Sequence, residues 1–433
     1  MNQFNSRFGR LALINIISNL MVPLAGLIDT AFLGHLAQIH HLAGVALASV
    51  LFNYIYWTFG FLRMGTTGTT AQARGRGDRD EIILILLRNC AIAFIIGTII
   101  LVLQQPLRAI GFTILQAEPE VLNSASAYYN ALIWGAPGTL INFVLFGWLL
   151  GREEGNKVLL LSVVDKGANI ALDYLFIVRF GWSSAGAGLA TAISQYLNLL
   201  VGLILVWEVI PKKSLKLFWG KIFYLPALKK LFFLNRDILV RTLALVSTFA
   251  LFTNFSAAIN TNTLATNTLL LQVVTLAAYF IDGIAFATES IVGNLHGQKN
   301  YQQLSLIVKL AGISSLIIGV SIAALFAIFP QSLFGILTNH NNVIAQINNY
   351  VWWLLPVLAF GSIAYMLDGY FLGLTAGKVL RNSTIIACCI GFLPIGIVAF
   401  HLQNSHLLWL ALTCFMATRA ITLSLNIKRS ANS

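Results

Sequence analysis

Asp29 stands within residues 24–34 (LAGLIDTAFLG), a stretch otherwise suited to hydrocarbon. A charged side chain at membrane depth costs at least about 2.5–3.5 kcal/mol, so a chain that keeps one there generally uses it or pairs it. A second carboxylate, Asp173, lies near the end of another apolar run, with Asn169 one helical turn before it on the same face. Thr191 and Asn142 bring a hydroxyl and an amide from two further runs. Two carboxylates drawn together out of water repel, so a proton or another cation has to enter with them, which is what an ion-coupled site needs. A proton suits the pair, and so does Na+, because carboxylate, amide and hydroxyl oxygens all accept it. Asp29, Asp173, Asn169, Thr191 and Asn142 are therefore expected to be proton- or ion-coupling residues. The plainer alternative is a set of unrelated polar groups, each satisfied by its own neighbouring helix.

The elements that must position these residues are membrane helices. The chain of 433 residues is 58% hydrophobic and 10% charged, with a mean hydropathy of +0.81. Soluble domains carry about 25% charged residues, and soluble cores stop growing near about 250–300 residues. The apolar residues fall instead into runs long enough to cross a bilayer. Twelve spans are expected, at about 11–34, 43–71, 82–104, 125–150, 157–180, 184–210, 237–260, 264–292, 304–329, 345–374, 379–400 and 405–427. Alternate connections carry most of the lysine and arginine, among them Arg74, Arg76 and Arg79, Arg152 and Lys157, Lys299, Lys378 and Arg381, and Lys428 and Arg429. Positive charge marks the cytoplasmic side, so both termini are expected inside. Arg7 and Arg10 precede the first run as in a signal peptide, but Asn15, Ser18 and Asn19 interrupt it and no cleavage site follows. The first helix is expected to be retained.

The net charge of +12 sits at the ends of spans and does not point to nucleic acid. Cys90, Cys388, Cys389 and Cys414 lie inside apolar segments without metal-ligand spacing. His35, His40 and His41 share one external loop, while His296 and His401 stand apart. With no H-E-x-x-H or G-x-S-x-G constellation, an enzyme is not expected. Beyond the coupling ion no cofactor is implied; the partners expected are membrane lipid and small organic substrates, and the protein is expected to be a monomer.

The chain repeats itself. Leu42 and Leu264, Gly75 and Gly297, Tyr128 and Tyr350, Gly147 and Gly369, Gly151 and Gly373, and Gly155 and Gly377 are all separated by the same interval. Six spans per half make the repeat parallel, with an axis along the membrane normal. The organisation expected is an N-lobe over 1–210, a basic amphipathic linker over 211–235 lying at the inner leaflet, and a C-lobe over 236–433. With this topology Asp29, Asp173 and Thr191 lie roughly 8–11 Å inside the external end of the first half. The second half has Leu251 opposite Asp29 and Ile395 opposite Asp173, so the carboxylate pair is not duplicated. Its own acids, Asp282, Glu289 and Asp368, fall toward the cytoplasmic end with Arg63, Arg236 and Arg241. They are read as an ion-pair network at a cytoplasmic gate, the alternative being a second ion site. Pro23, Pro137, Pro356 and Pro394 lie inside spans and each invites a bend.

The segments 27–36 (LIDTAFLGHL), 61–75 (FLRMGTTGTTAQARG), 146–151 (FGWLLG), 169–177 (NIALDYLFI), 234–242 (LNRDILVRT), 279–293 (YFIDGIAFATESIVG), 365–373 (YMLDGYFLG) and 407–415 (LLWLALTCF) come in a characteristic order. Through them the chain resembles, from end to end, the multidrug and toxic compound extrusion (MATE) transporters, in the branch typified by DNA-damage-inducible protein F (DinF). The resemblance implies an all-α integral membrane protein with twelve transmembrane helices in two six-helix lobes, exporting organic compounds in exchange for H+ or Na+. It implies that Asp29 is the coupling carboxylate, that Asp173 and Asn169 are its N-lobe companions, and that Thr191 and Asn142 supply the hydroxyl and amide. It leaves out an acid in span 7, since residues 244–260 have none, although Asp368 matches that acid's span 10 partner. Tyr174 replaces the proline that many relatives carry after the span 5 aspartate. A flippase for a lipid-linked saccharide or phospholipid is the alternative; its phosphate would call for cationic residues along a central cavity, where mid-membrane spans here carry almost none.

Overall fold

Two helices in this chain begin where a side chain replaces the missing backbone partner. Asp78 accepts from the Glu81 N–H at 3.0 Å and opens one helix, and Asn260 accepts from the Thr263 N–H at 2.8 Å and opens another. The computed structural model describes residues 2–36, 38–114, 117–209, 215–336 and 341–430, and among them there is helix and short turn but no strand. The first residues of the expected linker, with Lys212 and Lys213, lie outside the described residues.

Among the described residues eleven helices are long and apolar enough to cross a membrane. They are α1 (Ser6–Gly34), α2 (His40–Gly75), α3 (Arg79–Val102), α4 (Pro119–Gly151), α6 (Ser183–Trp207), α7 (Leu225–Ile259), α8 (Thr261–Gly297), α9 (Tyr301–Ile328), α10 (Asn342–Gly373), α11 (Gly377–His401) and α12 (Ser405–Ile427). The twelfth, α5 (Gly155–Asp173), continues as a π-helical segment, Tyr174–Arg179. It falls outside the apolar set because it carries Lys157, Asp165, Lys166 and Asp173. The helix that looks least like a membrane span thus carries two of the expected coupling residues, Asn169 and Asp173.

The chain forms two compact units. One comprises Ile17–Phe232, and the other Met1–Ile16 with Phe233–Ser433. The division falls inside α1, where Ile16 lies against Gly283 of α8. In the first unit α4 packs along α2 and α3, and α6 packs along α4 and α5; in the second α10 packs along α8, α9 and α12. Close packing explains why glycines recur. A Cβ on Gly147 would stand 2.4 Å from the Arg63 carbonyl oxygen, and one on Gly369 would stand 2.3 Å from the Ala285 carbonyl oxygen. The same backbone-to-backbone approach is therefore built twice, α4 on α2 and α10 on α8.

Turns repeat as well. Gly77, Glu153 and Gly181 take positive φ in the first half, and Lys299, Thr375 and Gln403 take it at the matching places in the second. Side chains rarely adopt that conformation, so the backbone preserves the repeat even where residue types have changed. Both halves also break their fourth span the same way, with a 3-10 turn (Ile133–Gly135, Val351–Trp353) just before Pro137 and Pro356. A proline N lacks its hydrogen and cannot continue the ladder of the preceding turn. Both α5 and α11 contain a π-helical segment, but in α11 (Ala387–Phe392) it comes earlier in the span than the one after Asp173.

The described part of the linker includes a helix, Leu215–Ile222, whose Phe218 is buried against Ile83 and Leu84 of α3. Arg88 on α3 clasps it, donating to the carbonyls of Lys221 and Ile222 while pairing with Glu81 at 3.0 Å. Phe223, Tyr224 and Leu225 remain exposed.

Candidate functional site

In the first unit, Asp173 ends the regular part of α5 and is 1% exposed. Its Oδ2 accepts from Asn169 Nδ2 at 3.1 Å, and the same amide lies 3.3 Å from Thr191 Oγ1 on α6. Thr191 also donates to the Ala187 carbonyl at 3.0 Å. Asp29 on α1 comes within hydrogen-bonding reach of Asp173, carboxyl to carboxyl. Near that meeting the Phe32 and Tyr174 rings are 6.3 Å apart, so α1 also touches the π-helical segment. That segment abandons the regular hydrogen-bond ladder next to Asp173, a departure common at functional positions.

Two oxygens at this place, Asp29 Oδ1 and Asp173 Oδ1, are buried without a hydrogen-bond donor from the protein. Buried carboxyl oxygens left without a donor are costly. A proton shared between the two groups removes the cost, and so does a small cation held between them. Contrast Asn267 in the second unit, buried but fully used: it donates to Ser256 and Ser405 and accepts from Trp409 at 2.9 Å. Among the described residues no group of three or more His, Cys, Asp or Glu side chains is arranged to hold a metal ion.

Tyr128 of α4 completes the site, and sequence reasoning had used it as a repeat marker alone. Its hydroxyl lies toward Ser49 and Thr191 and stands near both aspartates. Gly188 makes this possible, because a Cβ there would lie 2.5 Å from the Tyr128 carbonyl oxygen; the missing side chain lets α6 bring Thr191 up to Tyr128.

The structure thus brings together Asp29, Asp173, Asn169 and Thr191. Asn142 belongs one layer away. Its Nδ2 donates to the carbonyl and to Oε1 of Gln195, at 2.8 and 3.0 Å, and Gln195 Nε2 donates to Asp165 Oδ1 at 2.9 Å. Asp165 Oδ2 in turn lies 3.0 Å from Lys166 Nζ. Asp165, Lys166 and Gln195 were missed in the sequence. The signal was present, since Asp165, Asn169 and Asp173 recur every four residues and so share one face of α5.

The second unit holds a different cluster. Arg241 and Arg419 both donate to Asp368 Oδ2, the latter at 2.5 Å. Arg419 is fully buried and lies over the rings of Tyr365 and Phe415, at 5.4 and 5.7 Å. The charge of Asp282 reaches Arg419. Glu289 is buried on α8. Arg63 belongs to α2 in the other unit, and Arg236 instead pairs with Asp237 at 3.1 Å. Arg419 was overlooked because it lies near the end of the last span, where a cation reads as a loop marker.

At the start of α2, an open cavity of about 320 Å³ is lined by His40, His41, Glu120, Trp182 and Ser184 among others. His41 Nδ1 lies 2.9 Å from Ser184 Oγ and 3.2 Å from Ser124 Oγ, tying α2, α4 and α6 together. The carboxylate nearby, Glu120, faces His40 at 3.7 Å. This arrangement joins helices and does not align a nucleophile, a base and its orienting acid.

Residues 15–175 and 238–398 each match the family model described as MatE. The chain is 32% identical over 414 residues to DNA damage-inducible protein F of Escherichia coli, covering 96% of this chain and 90% of that protein. It is 25% identical over 367 residues to the probable multidrug resistance protein NorM of Thermotoga maritima, covering 83% and 76%. Its fold matches a MOP superfamily transporter from Pyrococcus furiosus with a TM-score of 0.88 at 20% identity, over 99% of this chain and 96% of that one. A structure described as the outward-facing conformation of a multidrug resistance MATE family transporter gives the same TM-score of 0.88 at 21% identity, with the same coverage.

Proposed function

The chain belongs to the MatE family of multidrug efflux transporters, and we propose that it is a secondary active antiporter exporting organic compounds in exchange for H+ or Na+. The observation that carries this reading is the meeting of Asp29 with Asp173 at a buried place where their Oδ1 oxygens find no donor. An ion entering there removes a repulsion; an ion leaving restores it. A ligand shifts a conformational equilibrium only by its differential affinity for the two states, and repulsion between two desolvated carboxylates is a large lever of that kind. Ion binding then favours one state of the transporter and organic substrate the other, which is antiport.

The lysine- and arginine-rich connections support a place in a bacterial-type inner membrane with both termini in the cytoplasm. The cluster about Asp368 is read as a strut, because two guanidinium groups already engage its carboxylate. The test is transport in inside-out vesicles under an imposed pH gradient or an imposed Na+ gradient. Asp29→Asn is expected to abolish ion-driven efflux while the protein still inserts and folds; a mutant that transports like the parent overturns the assignment.

A further inference from the structure

Lys166 has no part in the site as described so far, yet it sits beside it. It precedes Asn169 by three residues and Asp173 by seven on α5, spacings that place all three along one stripe of the helix. Its ammonium lies 3.0 Å from Asp165 Oδ2. Gln195 holds the other oxygen of that carboxylate at 2.9 Å, and Asn142 holds Gln195. Asp165 is thus a firmly held counter-ion. The charge of Lys166 also reaches Asp29. One tethered cation therefore rests on Asp165, shares a stripe of α5 with Asp173, and extends its charge to Asp29.

We propose that Lys166 is the resident cation of the coupling site and that it restricts exchange to protons by competing with Na+ for the carboxylate oxygens of Asp29 and Asp173. A sodium ion needs those oxygens as ligands, and an ammonium on a four-carbon stem needs the same oxygens as acceptors. The lysine is tethered, so its effective concentration at the pair is on the order of millimolar or above and never diluted. A proton is not displaced in this way: it becomes part of a carboxyl group and requires no shell of ligands. When the pair loses its proton, the ammonium redistributes from Asp165 toward Asp29; when the proton returns, it falls back on Asp165. The Asp165–Gln195–Asn142 chain is the resting place for that movement, which gives Asn142 a role without direct contact with the pair.

This inference rests on the antiport reading and adds the choice of ion. It is tested on the purified full-length protein by equilibrium binding of radioactive Na+, which needs no organic substrate. The parent is expected to bind Na+ only weakly. Lys166→Met, and Asp165→Asn with Lys166→Met, which removes the pair as a neutral unit and spares Asp165 an unpaired burial, are expected to bind Na+ at least about tenfold more tightly than the parent. Adding Asp29→Asn to the double variant is expected to abolish that binding, and Lys166→Arg, which keeps the charge, to bind no better than the parent. A parent protein that binds Na+ as tightly as the variants overturns the inference, as does a double variant that elutes as a single folded species and still binds none. Either result leaves the antiport reading standing, since that reading falls on the vesicle experiment with Asp29→Asn.

Discussion

Asn169 Nδ2 lies 3.1 Å from Asp173 Oδ2, one turn back along the same helix, and the same amide reaches Thr191 at 3.3 Å. One short side chain thus orients a carboxyl group of the coupling pair and links α5 to α6. A hydrogen bond to a charged group contributes about 1.5–3 kcal/mol. Asn169→Ala is therefore expected to lower ion-driven transport in vesicles roughly ten- to a hundredfold. Transport equal to that of the parent would mean that Asp173 needs no donor from α5.

Tyr128 brings its hydroxyl toward Ser49 and Thr191, and its ring packs edge-on against Phe52 at 6.2 Å. Tyr128→Phe keeps the ring and removes the hydroxyl. Its stability cost is expected to be about 0.5–1.5 kcal/mol, visible as a small fall in melting temperature. The larger effect is expected on the ion concentration that half-saturates transport, because a hydroxyl next to Thr191 and both aspartates is lost. An unaltered ion dependence would reduce Tyr128 to packing.

Two guanidinium groups face Asp368. Asp368→Asn leaves both without that carboxylate, and breaking a buried pair by removing one partner costs about 3–5 kcal/mol. Arg419→Met leaves one guanidinium on one carboxylate and keeps an apolar stem against Tyr365 and Phe415. Asp368→Asn is expected to melt well below Arg419→Met in thermal unfolding of the detergent-solubilised protein. The reverse order, or selective loss of coupling with unchanged melting in Asp368→Asn, would make this cluster an ion site and not a strut.

Gly147 and Gly369 each leave room for a carbonyl oxygen that a Cβ would meet at 2.4 and 2.3 Å. Overpacking of this kind costs typically about 1–3 kcal/mol, more where the obstacle is backbone. Gly147→Ala and Gly369→Ala are both expected to destabilise the protein. Gly167→Ala, on the same grounds, is expected to be neutral or to stabilise by about 0.5–1 kcal/mol, since nothing lies within 4 Å of a Cβ there. Thermal unfolding of the three variants separates packing from helix propensity.

What the sequence by itself determined is one-dimensional. Apolar run length marks the spans, lysine and arginine between runs suggest sidedness, and the constant interval between Gly147 and Gly369 or Tyr128 and Tyr350 marks the repeat. Depth is nearly one-dimensional too, because a helix advances by a fixed rise per residue; Asp29, Asp173 and Thr191 could be placed at one level on that account. Which side chains meet at a level is a different quantity. It depends on how each helix is rotated and how closely its neighbours approach, and here small residues such as Gly188 decide the approach. The tertiary structure alone therefore decided that Tyr128 joins Thr191, that Asn142 turns to Gln195 and Asp165, and that Arg419, far along the chain, reaches Asp368. Lys166 shows the reason most plainly. In sequence it is a charge in a span next to Asp165; only packing backs that carboxylate with Gln195 and Asn142 and brings the lysine's charge to bear on Asp29.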